Sequence, residues 1–398
     1  MFNDEYYKNK IFLEETTLRD GEQAPKVNYS MDEKIDLALK ISGILTEDDT
    51  IDAGFPIVSE LEIKTIKEIC KIVKKNNISV ISRMKMGDID LSYEALKDTK
   101  KRKIVLMTPT SPQHRVHKLN MSKEEVLNLT LESIRYSRKY FDQIEVGFED
   151  GTRTEPEFLY TLMEAVIKEG VDTVTVADTL GCMTPIEIGE KFGGIQNNVS
   201  NFDKLKYFGI HCHNDMGLAL ANSLEAVKYG VNKIGCAFNG LGERTGNVAT
   251  EELLLLFMLK GDIIRNINSD KYAYDKIIEC SKLVSKYSGI EIQKTKAVIG
   301  DFCYLHESGI HQDGILKNKE TYQLFDPKRV GYYGEIFSIG KHSGSNGLKK
   351  RLIELGVDID KINFNKYFIE FKNLFEKYKI ITDQQLLELA SEYKIRGV

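Results

Sequence analysis

Ile11-Phe-Leu-Glu-Glu-Thr-Thr-Leu-Arg-Asp-Gly-Glu-Gln23 is the stretch on which the fold turns. Its first five residues, Ile11–Glu15, read as a short strand, and an amphipathic segment at Met31–Ile44 follows as a helix. An open doubly wound sheet would carry a GxGxxG phosphate loop at the first strand-to-helix turn. This turn, Thr16-Thr-Leu-Arg-Asp-Gly-Glu-Gln23, has no such pattern and carries Arg19, Asp20 and Glu22 instead. The closed parallel barrel has the same strand–helix alternation and gathers its polar catalytic residues at the carboxyl ends of its strands, so the turn favours the barrel.

Working outward, eight short β-branched runs alternate with helical stretches. The runs are Ile11–Glu15, Thr50–Phe55, Ile78–Met84, Lys103–Thr108, Gln143–Glu149, Thr173–Asp178, Phe208–His213 and Lys233–Asn239. Between them Glu60–Lys74, Ser122–Tyr140, Glu155–Glu169 and Gly217–Tyr229 carry apolar residues at helical spacing. The pattern predicts an α/β protein, a (β/α)8 TIM barrel over residues 1–285. Beyond about residue 285 the alternation is lost, and residues 286–398 read as a smaller mixed C-terminal region.

Composition narrows the partners. With 398 residues, 42% hydrophobic and 29% charged, the chain is long enough for one large domain and a smaller module. A net charge of −5 supplies no positive field for a phosphate backbone or an anionic membrane, so nucleic acid and membrane are not expected partners. Met1-Phe-Asn-Asp-Glu-Tyr6 lacks the basic start of a signal peptide, and the longest aliphatic run, Leu253 to Leu256, is far short of the ~20 residues that span a bilayer. The cysteines at 70, 182, 212, 236, 280 and 303 have no CxxC spacing and read as buried thiols of a reducing, cytoplasmic compartment.

The strand ends assemble a candidate site. Arg19 and Asp20 follow strand 1, Gly54-Phe-Pro56 follows strand 2, and Arg83 ends strand 3; Glu149-Asp150 ends strand 5, Asp178-Thr179 strand 6 and His211-Cys-His213 strand 7. Alternation points His211 and His213 into the barrel mouth and Cys212 toward the helices, as a buried thiol. On its own such a pair reads most simply as two structural histidines. Here strand 1 neighbours strand 8, so Asp20 and Asn247, which follows the loop Asn239-Gly-Leu-Gly-Glu-Arg-Thr-Gly-Asn247, add oxygen ligands. Two nitrogens and two oxygens suit Mg²⁺ or Mn²⁺, with Zn²⁺ or Co²⁺ as alternatives. His114 and His117 lie in a loop past strand 4 and read as surface or substrate-access residues.

Leu18-Arg-Asp-Gly-Glu-Gln23, His211-Cys-His-Asn-Asp215, Asn239 to Asn247 and Gly309-Ile-His-Gln-Asp-Gly314 together resemble the 2-isopropylmalate, homocitrate and citramalate synthase family, from about Phe12 to Leu355. The first two motifs are shared with the acyl-CoA lyase branch of the same barrel, whereas the tail motifs look like those of the synthases. The resemblance implies condensation of acetyl-CoA with a 2-oxo acid, the carbanion attacking the ketone and thioester hydrolysis driving the reaction. It implies that Asp20, His211, His213 and Asn247 hold the divalent metal, that Arg19 stabilises the developing oxyanion and that Thr179 binds the substrate carboxylate. Glu149 would orient substrate or move a proton, and His311, with Tyr333, would help to remove the methyl proton of acetyl-CoA. The tail would supply acetyl-CoA or lid contacts and a dimer interface, making a homodimer. A leucine-sensing domain of the usual kind would not fit within the chain.

For the 2-oxo acid, alternation on strand 5 turns Glu145, Gly147 and Glu149 inward, with Gly147 flooring the side-chain pocket and Glu145 deeper. Homocitrate synthases resemble this strand but carry an arginine where Glu145 stands, so a distal carboxylate is expected to be repelled. Gly54-Phe-Pro56 and Glu145 look like 2-isopropylmalate synthase, yet Gly147 stands in place of a serine and Val105 in place of a histidine. Both changes imply a more apolar or roomier pocket, as in the methylthioalkylmalate branch. The expected substrate is a neutral apolar acid such as 3-methyl-2-oxobutanoate or a longer one; homocitrate or citramalate synthesis is the alternative, and a metal-dependent acyl-CoA lyase a further one.

Overall fold

A computed structural model describes residues 10–99, 101–261 and 271–394. Strands β1 (Phe12–Glu15), β2 (Thr50–Asp52), β3 (Asn77–Arg83), β4 (Arg102–Pro109), β5 (Gln143–Glu149), β6 (Thr173–Asp178), β7 (Tyr207–Cys212) and β8 (Lys233–Cys236) form a closed, all-parallel barrel in chain order. Closure is made by β1 against β8, with Phe12 opposite Lys233 and Glu15 opposite Cys236. The helices between and after them are α1 (Met31–Ile44), α2 (Glu60–Ile72), α3 (Met86–Leu96), α4 (Lys123–Ser137), α5 (Pro156–Lys168), α6 (Pro185–Asn198), α7 (Ala219–Val227), α8 (Thr250–Lys260) and α9 (Ile277–Ser288). The expected (β/α)8 barrel is therefore the observed fold.

Local chemistry sets these starts. Capping boxes begin α1 (Ser30 with Glu33), α4 (Ser122 with Glu125) and α6 (Thr184 with Glu187), each satisfying orphan amides reciprocally. Strand ends were read long at two places. β2 stops at Asp52 because Gly54 takes φ +150° and Pro56 lacks an amide to donate. β8 stops at Cys236 because Asn239 sits in the left-handed region at φ 61° and turns the chain toward the ligand-bearing loop.

One side-chain layer fills the space between strands and helices: Val80, Leu106, Val146, Phe148, Val176 and Ile210 are fully buried there. Cys212 is fully buried too, as alternation expects, whereas Cys182 and Cys303, expected to be buried like the other cysteines, are exposed because both lie in loops. The lower barrel interior is different. Glu14, Lys103, Glu145 and Lys233, from β1, β4, β5 and β8, form a buried ion-pair network with side chains at most 8% exposed. Lys103 reaches Glu145 at 2.9 Å, Lys233 bridges Glu145 and Glu14, and the Thr175 hydroxyl donates to Glu145 at 2.6 Å.

The described chain divides into two compact units, Met1–Ile292 and Gln293–Val398. Helix α9 runs through residue 285, so the first unit closes a few residues later. The second unit was expected to be mixed; its described elements are the helices α10 (Gly309–Lys317), α11 (Ser345–Glu354), α12 (Phe364–Leu374) and α13 (Asp383–Glu392), with short 3-10 turns and isolated β-bridges. Leu348, Leu352, Tyr367, Phe371 and Leu386 make its apolar core.

The buried network generates a stability test. Lys233→Met leaves Glu14 and Glu145 to share the one remaining lysine, Lys103, so one buried carboxylate loses its counter-charge at a cost of about 3–5 kcal/mol, whereas the charge-neutral pair Lys233→Met with Glu14→Leu should recover most of that loss. Urea unfolding of the two variants measures the difference.

Candidate active site

The site is built from the carboxyl end of β1 upward. After β1 the chain turns sharply, the amides of Arg19, Asp20 and Gly21 all donating to the Thr16 carbonyl, and this holds the Arg19 and Asp20 side chains at the barrel mouth. Arg19 Nε donates to Asp52 at 2.7 Å and one terminal nitrogen to Asp20 Oδ2 at 2.6 Å. Asp20 Oδ2 also meets His211 Nε2 at 3.2 Å. The His211 and His213 rings stand 5.2 Å apart, edge to face. His213 pairs with Asn247 in an antiparallel bridge, so the barrel closure carries the fourth residue to the other three.

Asp20, His211 and His213 each offer a ligand atom, all within 4.8 Å of one another, a spacing that could hold a metal ion. The unused atoms are telling. Asp20 Oδ1, His213 Nδ1 and Asn247 Oδ1 are buried and have no hydrogen-bond partner. A buried polar atom without a partner costs about 1–3 kcal/mol, and three of them on residues of this one cluster fit a divalent cation. Asn247 Nδ2 donates to the Leu241 carbonyl at 2.9 Å, which leaves its Oδ1 as the free end.

Electrostatics prepare the same atoms. Burial would raise the Asp20 carboxyl, but the Arg19 guanidinium and the contact with His211 outweigh it and hold Asp20 well below the usual carboxylate range. Burial pushes the His213 imidazole down to about 4, helped by repulsion from His211, so its ring is neutral and has a lone pair to give at neutral pH. Burial pushes Asp52 up to about 6 against the pull of Arg19. Arg19 itself, although desolvated, is raised by Asp52 and Asp20 and stays charged.

Beside this cluster lies a cavity of about 420 Å³. Arg19, Asp20, His211, His213, Glu149 and Thr179 line its polar side, and Phe55, Ile81, Val105, Met107 and Ala177, with Gly147 among them, form an apolar collar. Thr179 Oγ1 accepts the Asp150 amide at 2.8 Å, leaving its own proton free to donate. A second cavity of about 280 Å³ shares Arg19, Gln23 and Phe55 with the first.

Three features were not legible in the sequence. Glu149 does not stand alone: Lys118 binds both its oxygens, at 2.6 and 2.8 Å, and His114 Nδ1 lies 3.5 Å away. A π-helical turn, His114–Leu119, delivers both residues, and π turns are rare and recur at functional sites. His114 is thus at the site, while His117 is exposed. Glu145 also needs correcting. Its expected repulsion of a distal carboxylate treated it as a lone charge; burial would raise its pKa, but Lys103 and Lys233 hold it low and compensate the charge. Gly147, expected to leave room, has its space occupied, since a Cβ there would lie 2.9 Å from the Met107 sulfur. In the second unit, His311 stacks on Tyr322 at 4.0 Å with its edge toward His306, and Tyr333 is 76% exposed.

The residues match known proteins in the same order. The family model HMGL-like covers residues 10–284. The chain belongs to this family. A second model, Homocitrate synthase post-HMGL domain-like, covers residues 298–379. The chain is 40% identical to 2-isopropylmalate synthase of Brevibacillus brevis (strain 47 / JCM 6285 / NBRC 100599) over 97% of its own length and 75% of that protein's. It is also 40% identical to 2-isopropylmalate synthase of Halothermothrix orenii (strain H 168 / OCM 544 / DSM 9562), over 96% and 73%. Hydroxymethylglutaryl-CoA lyase from Pseudomonas aeruginosa shares the fold at a TM-score of 0.58 and 18% identity, over 71% of this chain and 95% of that one. This HMGL-like chain has no described helix long and apolar enough to cross a membrane.

Gly235 tests the ligand geometry. It lies opposite His211 across the β7–β8 ladder, and a Cβ there would come 2.5 Å from His211 Nδ1. Gly235→Ala should rotate that imidazole and weaken Mn²⁺ binding about 10- to 100-fold, the range for residues that orient a ligand. Isothermal titration with Mn²⁺, beside a urea melt as a folding control, checks it.

Proposed function

We propose that the chain condenses acetyl-CoA with a neutral 2-oxo acid, joining the acetyl methyl carbon to the ketone carbon and releasing CoA after water cleaves the thioester. The 2-alkylmalate product is of the 2-isopropylmalate type. The observation that carries this reading is the cluster of Asp20, His211 and His213, whose ligand atoms lie within 4.8 Å of one another next to Arg19 at the mouth of the barrel, with Asn247 bridged to His213. A divalent ion on Asp20, His211, His213 and Asn247, Mg²⁺ or Mn²⁺ ahead of Zn²⁺ or Co²⁺, would polarise the ketone as a Lewis acid.

The protein groups do the rest. Thr179 donates its free hydroxyl proton to the substrate carboxylate. Arg19, kept charged by Asp52 and Asp20, faces the oxygen on which negative charge develops. Glu149, clamped by Lys118, orients the acid at the cavity rim. His311, with Tyr333, takes the role of removing the acetyl methyl proton on the strength of its motif. Two cavities meeting at Arg19 suit a two-substrate reaction. We place the acetyl-CoA contacts and dimer formation in residues 286–398, the assembly being a homodimer, and the enzyme in the reducing cytoplasm, in keeping with its six free cysteines.

The apolar collar favours branched or straight alkyl side chains. A distal carboxylate is disfavoured by the cost of desolvating it there rather than by Glu145, whose charge is compensated. The lyase alternative would cleave a hydroxyacyl-CoA without liberating free thiol.

Thiol release from acetyl-CoA with 3-methyl-2-oxobutanoate tests the reading: it should vanish with excess chelator and return with Mg²⁺ or Mn²⁺. Arg19→Ala should lower kcat by about 10²- to 10³-fold, the range for losing one oxyanion donor. Undiminished release in chelator would remove the metal from the reaction. Equilibrium sedimentation at twice the monomer mass is the expected result for the dimer.

A further inference from the structure

Met107 sits on β4 directly opposite Gly147 on β5, and two residues beyond Val105 on the same inward face. All three line the catalytic cavity. A Cβ on Gly147 would lie 2.9 Å from the Met107 sulfur, 3.5 Å from its terminal methyl and 3.8 Å from a Val105 methyl. The first distance is shorter than packed side chains tolerate, so the thioether occupies the space that a serine or alanine at 147 would need. Gly147 is then a seat rather than a hole. The occupant is the most adaptable apolar side chain, unbranched and free about three torsions. On either side the collar is stiffer: Val105 and Ile81 are β-branched and nearly buried, and the Ala177 side chain is too short to move.

We propose that Met107, seated on Gly147, is the movable wall that determines which 2-oxo acids the cavity accepts, and that the accepted class extends to unbranched acids longer than 3-methyl-2-oxobutanoate. This rests on the condensation reading above. A short branched side chain packs against the thioether in place; a longer one turns the Met107 side chain about its own torsions and takes the vacated length. The two residues act as one unit, so their substitutions do not add.

The experiment is a double-substitution cycle read as kcat/KM for CoA release with 3-methyl-2-oxobutanoate, 2-oxohexanoate and 2-oxooctanoate. Met107→Ala should raise the 2-oxooctanoate to 3-methyl-2-oxobutanoate ratio by about 10- to 200-fold, the worth of a few buried methylenes. Gly147→Ser in the native background drives the thioether into the cavity and should lower the same ratio about 10-fold; in the Met107→Ala background it should change the ratio less than about 2-fold. Met107→Leu, nearly volume-conserving and therefore well folded, removes the flexible thioether and should narrow acceptance toward the branched acid. An unchanged ratio in Met107→Ala and Met107→Leu enzymes that still release CoA overturns the proposal, as does a Gly147→Ser effect equal in both backgrounds. No CoA release by the unsubstituted enzyme with any of the acids would instead overturn the condensation reading.

Discussion

Hydrogen bonding of β1 to β8 is the constraint on which the rest of the site depends. The ligand candidates come from opposite ends of the barrel sequence: Asp20 from the first turn, the histidines from the seventh strand and Asn247 from the loop after the eighth. Only ring closure makes the first and last strands neighbours, and only a parallel ring puts all their carboxyl ends on one face. An open sheet with the same strands would leave Asp20 at an edge, far from His213 and Asn247.

Closure also has an electrostatic cost, met by compensation at every level of the barrel. At the mouth, Arg19 is shared between Asp52 and Asp20, which keeps the guanidinium charged and the Asp20 carboxylate ionised in a buried setting. Deeper, two buried lysines and two buried glutamates neutralise each other. The contrast between the levels is informative. The lower network has its charges spoken for, whereas the mouth retains Asp20 Oδ1, His213 Nδ1 and Asn247 Oδ1 without partners. A cation held by the cluster would supply the partner that these atoms lack.

Selectivity has a separate origin from reactivity. The polar half of the cavity is held by the hydrogen bonds of Arg19 to Asp52 and Asp20 and by that of the Asp150 amide to Thr179, and the apolar half by a collar in which a glycine and a methionine share one volume. A cross-linked polar half and an apolar half lined by a flexible thioether are the features on which the proposed substrate range rests.

Sequence by itself determined the strand count, the inward face shared by His211 and His213 and the outward burial of Cys212. These follow from periodicity, which involves residues a few positions apart. Motif order likewise pointed to the 2-isopropylmalate, homocitrate and citramalate synthase family. Tertiary structure alone decided the rest: that Lys103 and Lys233 neutralise Glu145, that Met107 fills the space beside Gly147, and that a π turn brings His114 and Lys118 onto Glu149. Each of these joins side chains from different strands or loops, and their meeting depends on barrel register and on one departure from regular helix geometry. No local pattern in the chain encodes either, so the residues were visible beforehand but their partners were not.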